Sequence, residues 1–300
     1  MVGLKLYGSV KEAVKGCFGE DVYIENDMKA SHGDINGTRC LKLSNGRYVF
    51  IKINTVSNAG FFDAEEEGIN AIADTGCIKT PALYAKGTQK EKNISFLMME
   101  NIVRGRFLPS AMYMLGSQFA DMHMADASKY VNGGSFGFIN DNYIGATKQI
   151  NTPMDSFVDF FRICRLEPQI KMAERDLSSE DIKDIMRFLD KLPDRLTEPE
   201  KPSLLHGDMW GGNHLIDENG DPVLIDPAAY VGHAEADIAM TELFSPLSPE
   251  FYRGYREKIP MQEGYGERKD IYNLYHILNH HNLFGGGYLY SALAVIHRYM

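Results

Sequence analysis

Apolar and polar positions alternate through residues 22–53, and "LKLSNGRYVFIKIN" sets two alternating arms around Asn45-Gly46. That dipeptide accepts the positive φ angles of a tight turn, so the stretch predicts a hairpin, with Lys52 near the end of its second arm. "FFDAEEEGINAIADTG" predicts a helix with apolar Phe61, Ile69 and Ile72, an acidic face of Glu65, Glu66 and Glu67, and a stop at Gly76. "TPALYAKGTQKEKNISFLMMENI" adds two short strands around a polar turn, the second ending at Glu100. Ahead of these, Leu6, Val10 and Val14 recur at i, i+4 and predict an amphipathic N-terminal helix. Together these make a small antiparallel α+β lobe, residues 1–102.

Past residue 103 the period changes. "SAMYMLGSQFADMHMADA", "SSEDIKDIMRFLDKLPDRL" and "RKDIYNLYHILNHHNLF" follow a helical period, with Pro193, Pro199 and Pro202 marking a break after the second. Within this mainly helical second lobe, residues 103–300, "HLIDENGDPVLIDP" predicts another hairpin, its tip at Asn219-Gly220 and Asp226 at its exit.

A net charge of −10 argues against a nucleic-acid or anionic-membrane surface, which needs a basic face. The four cysteines (Cys17, Cys40, Cys77 and Cys164) form no C-x-x-C pair and read as reduced thiols of a cytoplasmic protein. No apolar run reaches the length of a membrane span, and the charged N-terminal stretch does not read as a signal peptide. The sequons at Asn36 and Asn93 are therefore expected to be chance matches.

The chemistry is concentrated in "LLHGDMWGGNHLIDENGDPVLIDPA", residues 204–228. A loop carboxylate (Asp208), an amide five residues on (Asn213) and a carboxylate after a hairpin (Asp226) converge on one side of a cleft. They form the kind of oxygen set that Mg²⁺ favours, with substrate phosphates completing the shell. Lys52 supplies the positive partner that phosphates need, and Glu65 on the following helix is placed to pair with it.

These parts resemble the protein-kinase signature set, here reading "VFIK", Glu65, "HGDMWGGN" and "IDPA". Gly207 stands where protein kinases carry the arginine that reads activation-loop phosphorylation, and "IDPA" replaces D-F-G. That pattern is similar to the small-molecule kinases of the protein-kinase-like fold. "HGDIN", "FGFINDNYIGATKQINT", "SLLHGDMWGGN", "LIDPAAYVGHAEADIAMTELF", "PEFYRGYREKIP" and "YNLYHILNHHNLFGGGYL" resemble the fructosamine kinase family over roughly residues 25–295.

The resemblance implies ATP- and Mg²⁺-dependent phosphorylation of the sugar 3-hydroxyl of small ketoamines or glycated lysines, a deglycation repair. Asp208 is then the catalytic base, Asn213 and Asp226 hold Mg²⁺, and Lys52, paired with Glu65, contacts the phosphates. Phe62-Asp63-Ala64-Glu65 fits the family's F-x-x-E register, which selects Glu65 over Glu66 and Glu67. Asp34, in "SHGDING", would lie in the phosphate-covering loop, where His32 replaces a family glycine. Met99, Glu100, Asn101 and Ile102 would form the hinge against adenine, and Trp210 would pack on the sugar or its amine. Asp237 resembles the aspartate that holds the catalytic loop through its amides. His206 is expected to fix the turn, and His276 and His280 to be packed or substrate-facing rather than zinc ligands.

Two other readings have their own signatures. A binding protein without turnover would lack one of Lys52, Asp208, Asn213 or Asp226, and all four are present. A kinase of aminoglycosides or choline would call for a dense acidic pocket in place of Trp210 and "LFGGGYL".

Overall fold

The computed structural model describes residues 3–30 and 37–300; Asp34 and His32 lie outside the described residues. Residues up to Glu100 form β1 (Leu6–Tyr7), α1 (Val10–Phe18), β2 (Ile24–Lys29), β3 (Gly37–Leu43), β4 (Tyr48–Asn54), α2 (Gly60–Ala73), β5 (Leu83–Gln89) and β6 (Ile94–Glu100). The six strands make one sheet in the order β1-β5-β6-β4-β3-β2, antiparallel except where β1 joins β5. The β3–β4 turn is the Asn45-Gly46 hairpin, with Gly46 at φ 83°. Along β4, Val49 and Ile51 enter an apolar core beneath α1. Period 2 sends Phe50 and Lys52 to the opposite face, where Phe50 packs with Phe62 and Ile69 of α2.

The remaining residues are mainly helical: α3 (Pro109–Met124), β7 (Asn142–Ile144), β8 (Thr147–Gln149), α4 (Phe157–Phe161), α5 (Glu167–Ala173), α6 (Ser179–Arg195), β9 (Ser203–Leu205), β10 (His214–Ile216), β11 (Pro222–Leu224), β12 (Tyr230–Gly232), α7 (Ala234–Leu243), α8 (Pro249–Arg256), α9 (Tyr265–Phe284) and α10 (Tyr288–Tyr299). The strands pair as three two-stranded ribbons, β7–β8, β9–β12 and β10–β11. The β10–β11 ribbon is the expected Asn219-Gly220 hairpin, with Gly220 at φ 91°.

Three local expectations need correction. Leu6 lies in β1 and is exposed, not on a helix. The helix begins at Val10, because the Ser9 hydroxyl accepts from the Glu12 N–H while the Glu12 carboxylate accepts from the Gly8 N–H. The S-x-x-E spacing of a capping box was the sequence signal for that start. Pro193 does not break α6, which runs on to Arg195. A proline at 193 leaves the Leu189 carbonyl without its helical donor, and the Arg162 guanidinium donates to that oxygen at 3.3 Å. Finally, Glu65, Glu66 and Glu67 share no solvent face. Glu65 and Glu66 are buried, and each of the three meets a different partner.

Helices α3 and α8 pack through reciprocal glycines. A Cβ on Gly116 would fall 1.9 Å from the Phe251 carbonyl oxygen, and one on Gly254 would fall 2.1 Å from that of Tyr113. Gly116→Ala is therefore expected to cost about 1–3 kcal/mol or more through overpacking. Gly266→Ala, in an α9 position with open space around it, should be neutral or stabilising by up to about 1 kcal/mol. Thermal denaturation of the two variants beside the parent chain measures both.

Candidate active site

The β10–β11 hairpin places the two candidate metal ligands side by side. Its outermost pair is His214 with Leu224, so Asn213 and Ile225 face each other at its open end, where the Ile225 N–H donates to the Asn213 carbonyl at 3.1 Å. Asp226 is the next residue. It holds φ at 56°, one of two non-glycine positive values among the described residues, which turns its carboxylate out of the hairpin into the cleft. There Asp226 Oδ1 accepts from Lys52 Nζ at 2.7 Å, and Lys52 Nζ also lies 2.6 Å from Glu65 Oε1.

Burial works against the charge on Lys52, but the Asp226 and Glu65 carboxylates more than offset it and hold its pKa above that of an ordinary lysine. Glu66, one residue on, instead accepts from the Leu4 N–H at 2.7 Å and pairs with Lys86 at 2.6 Å; Glu67 accepts from Asn140 at 2.7 Å. The F-x-x-E register thus picks out the glutamate that meets the lysine.

Asp208 closes the constellation from below. Asn213 Nδ2 donates both to the Asp208 carbonyl (2.8 Å) and to Asp208 Oδ2 (2.9 Å), leaving the amide oxygen as the end available to a cation. A half-exposed carboxylate, an amide oxygen and a nearby carboxylate suit a hard divalent ion with phosphates completing its shell. Burial pushes the Asp208 pKa up to about 7; the Asn213 hydrogen bond opposes this, and the negative charges of Asp226 and Asp237 add to it.

The loop carrying Asp208 is held from α7. Asp237 accepts from the His206 N–H at 2.6 Å and the Gly207 N–H at 2.8 Å, and it also meets His123 at 3.2 Å. The His206 ring is fully buried. Its Nε2 lies 2.9 Å from the Ile225 carbonyl, which can only accept, so Nε2 carries the proton; Nδ1 accepts from the Asp208 N–H at 3.3 Å. Burial lowers its pKa, in keeping with a neutral ring that fixes the turn. Gly207 sits at φ 79°, and a Cβ there would fall 2.0 Å from the Ala228 carbonyl oxygen, so neither the kinase arginine nor any other side chain fits.

The other predicted residues among those described fall at the end of β6, in the connection after it, in the loop after Asp208 and on α9. Met99 is buried in the sheet, while Glu100 ties the end of β6 to the start of β5: its N–H donates to the Ala82 carbonyl at 2.8 Å and its carboxylate accepts from the Ala82 N–H at 3.1 Å. The Glu100 N–H is therefore already engaged within the protein. Asn101 accepts from the Cys40 thiol, and Ile102 follows in the strand-to-helix connection. Trp210 is 44 % exposed, its indole lying over Gly212. His276 is buried with its pKa lowered by burial to about 3, and its carbonyl accepts from His280 Nδ1 at 2.8 Å. Sequence reasoning missed a buried polar group below the Asp226 segment, made of Asn142, Gln149, Asn151 and Arg165. Its only outward signal is amides at inward-facing positions of a strand-like stretch.

A β-sheet lysine paired to a helix glutamate, above an Asp/Asn loop and a carboxylate leaving a hairpin, is the layout of the protein-kinase-like phosphotransferases. The chain superposes on an aminoglycoside phosphotransferase solved with AMP-PNP and hygromycin B at a TM-score of 0.64 and 15% identity, covering 97% of this chain and 98% of that one. Within that fold, the chain belongs to the fructosamine kinase family, whose model matches residues 6–300. It is 38% identical over 285 residues to the "Probable ketoamine kinase" of Synechocystis, covering 95% of this chain and 93% of the relative. It is likewise 38% identical over 272 residues to the chloroplastic protein-ribulosamine 3-kinase of Oryza sativa subsp. indica, covering 89% and 77%. The crystal structure of the Haemophilus somnus protein assigned as a fructosamine-3-kinase matches with a TM-score of 0.85 at 28% identity, over 97% of each chain.

The raised pKa of Asp208 has a stability consequence. Its folded-state value lies above the unfolded one, so the native state is penalised wherever the unfolded carboxylate is ionised and the native one resists ionising. The penalty is complete above about pH 7 and vanishes as pH falls to the ordinary carboxylate range near 4. Asp208→Asn should therefore melt higher than the parent at pH 8, with the difference closing by pH 4. Melting curves across that range check the sign.

Proposed function

We propose that this chain transfers the γ-phosphoryl group of ATP to the sugar 3-hydroxyl of ketoamines, the adducts formed when reducing sugars glycate amines. The observation that carries the reading is the meeting of Lys52, Glu65 and Asp226 at the cleft, directly above Asp208 and Asn213. Residues 1–102 act as the ATP-binding lobe and 103–300 as the catalytic and substrate-binding lobe. Lys52 contacts the α- and β-phosphates. Asp208 orients the attacking hydroxyl and accepts its proton as the oxygen bonds to the γ-phosphorus and the bond to the β-phosphate oxygen breaks, releasing ADP. Mg²⁺, when held by Asn213 and Asp226, supplies neutralisation of the phosphate charge. Met99, Glu100, Asn101 and Ile102 border the adenine. With the Glu100 N–H engaged by Ala82, the hinge contacts come from its other backbone groups. Asp34 belongs to the phosphate-covering loop. Trp210, exposed beside the base, packs on the sugar or its amine.

No helix among the described residues is long and apolar enough to cross a membrane. With four free thiols and a requirement for ATP, the reading places the activity in the cytoplasm. The substrates are a free small ketoamine or a glycated lysine.

Incubating the chain with ATP and a panel of ketoamines of varied sugar and amine, followed by product mapping, should give 3-phosphates, and Asp208→Asn should lose most turnover while still binding nucleotide. Phosphorylation of kanamycin or choline with silent ketoamines would overturn the function. Asp226→Ala should weaken binding of Mg·ATP far more than that of metal-free nucleotide; calorimetry showing unchanged Mg·ATP affinity removes Asp226 from the metal site. Trp210→Ala should raise the ketoamine KM about ten- to a hundred-fold, for a loss of about 1–3 kcal/mol, with the ATP KM nearly constant. An equal rise in both KM values would overturn the role of Trp210.

A further inference from the structure

Asp226 holds a left-handed backbone conformation that costs a non-glycine residue about 1–2 kcal/mol, so the surrounding structure must impose it. The segment after it is fixed by side chains of the β7–β8 hairpin. Gln149 Nε2 donates to the Ala228 carbonyl at 3.0 Å, and Asn142 Nδ2 donates to the Ala229 carbonyl at 2.7 Å. The two amides face each other across the ribbon, and the Asn142 side-chain oxygen accepts from Gln149 at 2.7 Å and from Asn151 at 3.0 Å. The base is anchored in the helical lobe: Tyr275 donates to Gln149 Oε1 at 2.8 Å, and Arg165 donates to Asn151 Oδ1 at 2.8 Å. Arg165 is fully buried on a π-helical turn, Arg162–Leu166, with its guanidinium 4.0 Å from the Tyr230 ring centre.

The outer side of the same hairpin region grips α2. Tyr143 meets Phe61 edge-on with centroids 4.1 Å apart, and Asn140 donates to Glu67 at 2.7 Å. Helix α2 in turn lies on the Asp226 segment, since a Cβ on Gly68 would stand 3.0 Å from Pro227 Cγ. One ribbon therefore touches both the helix that carries Glu65 and the segment that carries Asp226, the two carboxylates that clamp Lys52.

We infer that the β7–β8 hairpin is a built-in positioning bracket for the nucleotide and metal site, with Gln149 and Asn142 as positioning residues for Asp226 and with Asn140 and Tyr143 for the α2 glutamate. It does permanently, through uncharged buried amides, what a phosphorylated loop read by an arginine does conditionally in protein kinases; Gly207 leaves no such arginine here. The inference rests on the proposed role of Asp226.

Gln149→Glu keeps the acceptor for Tyr275 but removes the donors to Ala228 and Asn142. It should weaken Mg·AMP-PNP binding by calorimetry about tenfold, in the range typical for loss of a group supporting a metal ligand, while leaving metal-free AMP-PNP binding unchanged. The Mg²⁺ concentration for half-maximal turnover and the ATP KM should rise alongside, with the ketoamine KM constant. The double variant Asn140→Ala/Tyr143→Leu, at the hairpin's outer side, should shift the same readouts in the same direction by about threefold, and it decides the matter if Gln149→Glu does not fold. A folded Gln149→Glu with a lower Tm but unchanged Mg·AMP-PNP affinity and Mg²⁺ requirement would overturn the bracket, as would an outer-side variant that changes neither. Calorimetry needs no ketoamine, so failure of the substrate reading would show separately, as an unaltered chain that binds Mg·AMP-PNP yet turns over no ketoamine.

Discussion

A lysine stripped of nearly all its water stands at the centre of this molecule. Lys52 is 6 % exposed, and an ammonium group there is tolerable only because two carboxylates from distant parts of the chain come within hydrogen-bond reach of it. Such a buried charge cluster is a poor source of net stability, because desolvation consumes most of the Coulomb attraction. What it imposes is geometry. β4, α2 and the end of the β10–β11 hairpin must arrive at one point, and any arrangement that separates them leaves an uncompensated buried charge.

The same demand explains the backbone irregularities nearby. Asp226 and Gly207 both take positive φ, and Asp237 engages the two amides of the loop that precedes Asp208. In regular structure those amides would pair with a neighbouring strand, and the loop would not present its carboxylate to the cleft. Because a single carboxylate satisfies them, the loop can be sharp and still fully hydrogen-bonded, as a buried turn must be. His206 completes the arrangement by bridging to Ile225, which ties the loop that carries Asp208 to the hairpin that carries Asn213 and Asp226.

Much of this was legible because the carriers are short-range. The Asn-Gly turns, the period-2 arms and the D-x-x-x-x-N spacing each act within a few residues, so "VFIK" and "HGDMWGGN" led to Lys52, Asp208 and Asn213 directly. What failed to be legible depends on groups far apart in sequence. Three consecutive glutamates look like one acidic face, and only the Glu65–Lys52 pair was expected; successive helix positions turn by about 100°, and the partners of Glu66 and Glu67 (Lys86 and Asn140) come from other parts of the chain. Likewise, nothing near Pro193 announces that Arg162 will supply the missing donor. The amides of β7–β8 read as ordinary polar residues until the fold places backbone carbonyls opposite them.

Stability and chemistry pull against each other at this cleft. Asp208 is made reluctant to ionise by burial and by the neighbouring Asp226 and Asp237, which brings its pKa close to neutrality, the range in which a carboxylate is suited to exchanging a proton. The same crowding of negative charge is the kind of field that a lysine or a divalent cation relieves, and Lys52 relieves part of it at Asp226. A fold that relieved the backbone strain with a glycine at position 226 would be easier to keep folded but would lose the carboxylate that meets Lys52. The tension is borne by rigid neighbours: Asp237 below the loop, Pro227 against α2, and the buried amides beneath Ala228 and Ala229. That division of labour, with backbone strain at Asp226 and satisfied hydrogen bonds one layer out, is how clustered like charges are held together.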